Sequence, residues 1–315
     1  MTDGETIRVG LVTDPHCYEW QVRAVERLVR DHRVEISMVV YDDSDGRSSE
    51  PSAAGGPLGF LGRLVETLRR ERAWTLLVAD RTLSRTVGGD RPLWRYRSVD
   101  SIDSIVDATV VPCEPRVDGC WYELPDDAVA QLAARCDVLV RFGFGLLRGD
   151  VLTAPEHGVL SFHPADIRRY RGLGPPAIFF DGRARAGSTL QRLDESIDGG
   201  EIVAYDEVSL DDCYTLWDVY DRLATVQIDL LAEGVANVAD PAFEPESVPD
   251  DELGEYHSLS RRRSLSFSGR LIAKNLAGRI RRRFDRHRGP FVGGDDVVDD
   301  PSEPAVEPGS PVQRE

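Results

Sequence analysis

Lysine is almost missing from this chain: of 315 residues only Lys274 is one, beside 37 arginines, while 55 Asp and Glu leave a net charge of −17. Five cysteines are scattered, odd in number and without a CxxC pair, which argues against a disulfide framework or a zinc ribbon. No apolar run approaches the ~18 residues of a membrane span. The opening MTDGETIRVG lacks the basic-then-apolar order of an export signal. These absences point to a cytoplasmic protein without a transmembrane segment, whose cysteines are mostly core thiols. Neither a GxGxxG nor a Walker loop follows the first strand pattern, so the usual nucleotide fingerprints are missing there. An acidic, lysine-poor surface suits concentrated salt, where screening over a few ångströms removes self-repulsion. A GC-rich coding sequence would favour arginine as well.

What is present reads as an α/β chain, long enough for one large domain and a smaller appendage. Residues 7–12 form a buried strand pattern, followed by the polar turn Thr13-Asp14-Pro15-His16, a helix over 20–32 and a strand over 34–41. This is the opening of a doubly wound sheet. A Ser, Asp and Gly-rich loop (42–56), an amphipathic helix (58–72) and a third strand (74–79) come next. Residues 80–125 read as an irregular insertion with a short strand at 108–111, before a helix at 126–135 and a buried strand at 138–141. In the Phe142-Gly143-Phe144-Gly145 turn that follows, Arg148 replaces the third glycine of a dinucleotide loop.

Polar chemistry concentrates in 158–202. Val159, Leu160 and Phe162 mark a buried strand, and alternation places Ser161 and His163 on one face before Pro164 ends the ladder. Open α/β sheets collect ligands beyond such carboxyl ends. Two further strand patterns, 188–193 and 202–208, are joined by a loop ending Asp198-Gly199-Gly200, so a hairpin returns Asp198 toward His163. Taken singly, a strand-end histidine or an Asp-Gly-Gly turn is an ordinary structural feature.

Taken in order, Ser161-Phe162-His163-Pro164, Tyr170-Arg171-Gly172, Gly187-Ser188-Thr189 and Asp198-Gly199-Gly200-Glu201-Ile202 resemble the core motifs of the folate-dependent formyltransferases. That family includes glycinamide ribonucleotide, methionyl-tRNA and sugar-nucleotide members. Upstream, 136–155 is similar to the family's strand, folate-contacting loop and helix. One position departs: Ser161 stands where the family has a catalytic asparagine. The resemblance implies a formyltransferase-type, Rossmann-like, mostly parallel sheet. It also implies transfer of a formyl group from 10-formyltetrahydrofolate to a primary amine, with no metal.

Such a transfer passes through a tetrahedral oxyanion, so the site must donate hydrogen bonds to that oxygen and move a proton. The resemblance assigns His163 to both tasks, Asp198 to orienting it and Ser161 to a substitute donor; losing one oxyanion donor typically costs ~3 to 4 kcal/mol of barrier. Phe142, Gly143, Phe144 and Gly145 would form the folate loop, the phenylalanines alternatively packing as core. Asp14, His16, Tyr170, Arg171 and Gly172 would lie toward the amine substrate. Because the family's tRNA members carry a β-barrel for which no strand pattern is seen here, a sugar-nucleotide amine is the expected acceptor. A tRNA acceptor, 10-formyltetrahydrofolate hydrolysis and a non-catalytic folate-binding role are the alternatives.

The expected division is a catalytic domain at 1–238, an acidic linker at 239–260, a basic helical extension at 261–289 and a disordered acidic tail at 290–315. A helix over 210–237 repeats Leu216, Val219, Leu223, Val226, Leu230 and Leu231 at helical spacing. Eleven Lys or Arg accompany Asp285 alone in 261–288, with Phe267, Leu271, Leu276, Ile280 and Phe284 spaced for a basic amphipathic helix. Docking on the acidic body, lying on an anionic membrane surface or binding phosphate-rich ligands such as RNA would each use it. If the acidic surface is a salt adaptation, the half-life of activity should be longer in molar KCl than in dilute buffer; equal half-lives would contradict it.

Overall fold

The computed structural model describes residues 6–30, 33–44, 72–87 and 91–287. The helix expected at 58–72, except for Arg72, and the acidic tail lie outside them. Seven strands form the main sheet, in the order Glu201–Ser209, Arg185–Arg192, Val159–His163, Val138–Arg141, Ile7–Thr13, Val34–Asp42 and Thr109–Cys113. The last five run parallel and the first two are antiparallel additions at one edge. Parallel strands covered on both faces must be apolar throughout. Val9, Val138, Val140 and Leu160 accordingly pack on one face, with the Glu19–Leu28 and Leu216–Ala239 helices. Val12, Met38, Val40, Leu139 and Val159 fill the other, under the Asp126–Arg135 helix.

Three expectations are corrected. Residues 74–79 are not the third strand but the start of the Trp74–Val87 helix. A four-residue apolar run does not distinguish strand from helix by itself. Here Leu77 and Asp80, one helical turn apart, face the C-terminal layer, where Trp217 Nε1 and Asn275 Nδ2 donate to Asp80 Oδ2 at 3.0 and 2.8 Å. The strand following Val34–Asp42 in the sheet is instead Thr109–Cys113, inside the stretch read as an insertion. After Gly145 the chain forms a two-residue strand and a 3-10 turn, Asp150–Leu152, in place of the expected helix.

The acidic, proline-punctuated stretch read as a linker lies against the body. Ile202 and Glu246 exchange both backbone hydrogen bonds, Gly254 N–H donates to Ile167 O, and Glu255–His257 pairs in parallel with Tyr170–Gly172. Beyond it the Leu265–His287 helix docks through Phe267 and Leu271, in one apolar cluster with Leu216, Trp217 and Leu223. Leu276, Ile280 and Phe284, expected on the same face, are 52, 60 and 64% exposed. Leu271→Ala should therefore lower the unfolding free energy in urea by about 2–5 kcal/mol. Ile280→Ala should change it by less than about 0.5 kcal/mol. Equal losses would contradict this docking.

Candidate active site

The carboxyl end of the central strands brings three remote segments to one point. Val159–His163 ends in a buried His163 whose Nδ1 lies 3.2 Å from Asp198 Oδ1 and whose Nε2 lies 2.9 Å from Tyr170 O. Both ring nitrogens thus face oxygen atoms. The second Asp198 oxygen accepts from Gly172 N–H at 2.8 Å. Burial alone would raise the Asp198 carboxyl. The His163 charge and hydrogen bond, the Gly172 N–H and the nearby Arg141 outweigh it and hold the group below its usual range.

The motif residues around this pair have local work. Gly172 adopts φ +77°, and a Cβ there would come 2.3 Å from His257 O, so the turn that presents its N–H to Asp198 needs glycine. Thr189 Oγ1 donates to Ala165 O at 2.9 Å and Ser188 Oγ to His163 O at 3.3 Å, tying the turn after His163 to the neighbouring strand. Arg171 Nε donates to Gly254 O at 2.9 Å, and the Tyr170 hydroxyl donates to Asp181 at 2.7 Å. These two bonds brace the turn.

Ser161 is buried and shares the His163 face, as strand alternation requires. Its Oγ accepts from Arg141 Nη1 at 3.2 Å, and Arg141 Nε donates to Gly143 O at 3.1 Å. Sequence reasoning passed over Arg141. Its signal was a charged residue ending an otherwise apolar buried strand, directly in register with Ser161. Burial pushes the guanidinium below its ordinary value, while Asp198 and Asp14 act in the opposite direction. Ser161, Arg141 and Phe142 border a cavity of about 150 Å³ with Trp20, Phe162 and Gln227. Within it, Trp20 Nε1 is buried with no hydrogen-bond acceptor among the described residues. A larger cavity, about 1090 Å³, lies by Arg8, Arg33, Val34 and His157, near where the central strands begin, remote from His163.

The remaining candidates divide. Gly143 packs against the loop after the first strand, where a Cβ would come 2.4 Å from Asp14 N, so Asp14 lies beside the 142–145 turn. Phe142 stacks on Phe162, with centroids 6.4 Å apart, and meets Trp20 edge-on. Phe144 is 0% exposed in the core, so its ring is not available to a ligand, and Gly145 backs onto Tyr122. His16 sits in a short strand paired to Tyr96–Ser98, its ring edge-on to Tyr96. Among the described residues no group of three His, Cys, Asp or Glu gathers to hold a metal ion, and no helix is long and apolar enough to cross a membrane.

Residues 123–235, which contain His163, Asp198, Ser161 and Arg141, match the family model described as formyl transferase. The chain is 28% identical over 192 residues to the methionyl-tRNA formyltransferase of Acidovorax ebreus, covering 59% of this chain and 57% of that protein. It is 36% identical over 125 residues to the methionyl-tRNA formyltransferase of Treponema pallidum, covering 39% and 37%. The chain therefore spans little more than half of these relatives at most. Among solved structures, an N-formyltransferase from Helicobacter canadensis, in complex with folinic acid and dTDP-3-aminofucose, superposes with a TM-score of 0.51 at 12% identity. That superposition covers 89% of this chain and 82% of the other, and it is a likeness of fold.

The depressed Asp198 carboxyl gives a pH prediction. It contributes stability that is complete above the unfolded value of 3.8 and lost as pH falls through the lower folded value. Asp198→Asn should be less stable than the wild type at neutral pH, with the gap closing on acidification below about pH 4. A gap independent of pH in acid unfolding curves would contradict this.

Proposed function

This chain belongs to the formyltransferase family through residues 123–235, and we propose that it moves a formyl group from 10-formyltetrahydrofolate to the primary amine of a small molecule. The observation that carries the reading is the buried His163–Asp198 pair, anchored by Gly172 N–H at the carboxyl end of the sheet within the matched segment. The amine attacks the formyl carbon, and the carbonyl electrons move onto oxygen. The carbon–nitrogen bond to the folate then breaks as the carbonyl re-forms. The amine loses one proton and the folate nitrogen gains one. His163 polarises the oxygen and relays that proton, which requires its Nε2–H to exchange Tyr170 O for the formyl oxygen. Asp198 keeps the ring oriented and Ser161 offers a hydroxyl donor. The backbone of 142–145 and the Phe142 ring contact the folate, and Asp14 lies toward the amine.

The acceptor in this reading is an amino-sugar nucleotide. One observation favours a small acceptor, the fold likeness to an enzyme solved with such a nucleotide. The basic helix is then primarily a docking element, joined to the acidic body by Arg279–Asp80 and Arg282–Asp218. The test is chromatographic detection of formylated product from 10-formyltetrahydrofolate and a panel of dTDP-amino sugars, glycinamide ribonucleotide and methionyl-tRNA. Turnover on an amino sugar is expected. His163→Ala should lose about 10²–10⁴-fold in kcat, with fold and folate affinity nearly intact. Equal turnover in that variant would refute the mechanism, and formate released without any amine would mark a hydrolase.

A further inference from the structure

A charged group at the rim of a largely apolar cavity is costly unless it has partners or a task. Arg141 has five N–H donors, of which two, on Nε and Nη1, are committed among the described residues, to Gly143 O and Ser161 Oγ. These two bonds fix the guanidinium plane. Arg141 lines the cavity that Ser161 and Phe142 also border, and three of its N–H groups remain for a ligand there. His163, in contrast, has both nitrogens occupied, by Asp198 and Tyr170 O, and reaches the formyl oxygen only once Nε2–H has left Tyr170 O. The serine hydroxyl that replaces an amide-sized side chain is itself held by Arg141. A short side chain with a long cationic one in register beside it supplies the reach that serine lacks.

Building on the formyl-transfer reading, we propose that Arg141 is a catalytic oxyanion donor: its free guanidinium N–H groups, with Ser161, bind the formyl oxygen as the attacking amine turns it into an oxyanion. The carbonyl electrons that move onto oxygen when the carbon–nitrogen bond forms meet a fixed positive fork, and the same electrons return when the bond to the folate breaks. Arg141 neither gains nor loses a proton. A preorganised cation favours the charged transition state over the neutral ground state, so its effect falls on kcat.

The test follows 10-formyltetrahydrofolate turnover with hydroxylamine, a small amine nucleophile that needs no dedicated acceptor site, in the full chain. Arg141→Ala should lose about 10²–10³-fold in kcat, keep its affinity for folinic acid within a few-fold, and regain at least tenfold when guanidinium chloride is added far below unfolding concentrations. A merely structural arginine would show no such rescue. Folded Arg141→Ala with the kcat of the wild type, or without rescue, overturns the proposal. Should that variant fail to fold, Arg141→Lys decides, because it keeps the charge beside Asp14 and Asp198 but loses the fixed fork. A tenfold or larger fall in kcat is expected, and an unchanged kcat overturns the proposal. If wild type binds folinic acid but transfers to neither hydroxylamine nor the amine panel, the formyl-transfer reading itself fails and takes this proposal with it. Active wild type with unaffected variants removes Arg141 alone.

Discussion

One carboxylate holds the site together. Asp198 takes a hydrogen bond from Gly172 N–H, pairs with His163 and lies in the field of Arg141, so a hairpin loop, a turn and the ends of two parallel strands are fixed relative to each other by a single side chain. Burying an anion is expensive unless its lone pairs are met and a positive charge is near. All of these conditions hold here, and each is met from a different part of the chain. The arrangement forms only when the sheet is complete through its antiparallel edge, which ties chemical competence to folding.

The supports of that carboxylate are themselves supported. The backbone of 170–172 pairs with 255–257, and Arg171 reaches Gly254 O, so the segment leaving the Leu216–Ala239 helix holds the turn that carries Gly172. Thr189 and Ser188 bind the backbone just after His163 from the next strand, and Gln227 of the Leu216–Ala239 helix donates to Ser188 Oγ at 3.0 Å. Each of these bonds is worth on the order of 1 kcal/mol. Their combined effect is on position: they leave His163 little freedom to turn, which is the preorganisation that acid–base work requires.

The parts of this structure legible in the sequence were those where one periodicity dominates. Val159–His163 and Val138–Arg141 announced themselves as apolar runs, and the Leu216–Ala239 helix by apolar residues at helical spacing. The Trp74–Val87 helix was misread because its first apolar residues are too few to carry a period. Residues 239–260 read as a linker because composition reports solvent affinity, whereas their backbone hydrogen bonds to Ile167, Ile202 and the 170–172 turn depend on where the chain goes next. In the basic helix, spacing alone grouped Ile280 and Phe284 with Leu271. Where the body ends decides which of them is covered. Arg141 was hidden for a similar reason: a strand-end arginine is usually solvated, and only the register with Ser161 shows that it turns inward.

The acidic surface, the basic helix and the apolar sheet core are separable features around one reaction centre, and the claim that unites them is that this centre works on a folate-borne formyl group. Isothermal titration of the full-length protein with folinic acid, in high-salt buffer, tests that claim most directly. The account predicts saturable one-to-one binding with a dissociation constant in roughly the micromolar range common for enzyme substrates. A folded protein that gives no binding heat across that range at several temperatures would contradict it, leaving the sheet and its His163–Asp198 pair as a shared architecture without the shared chemistry.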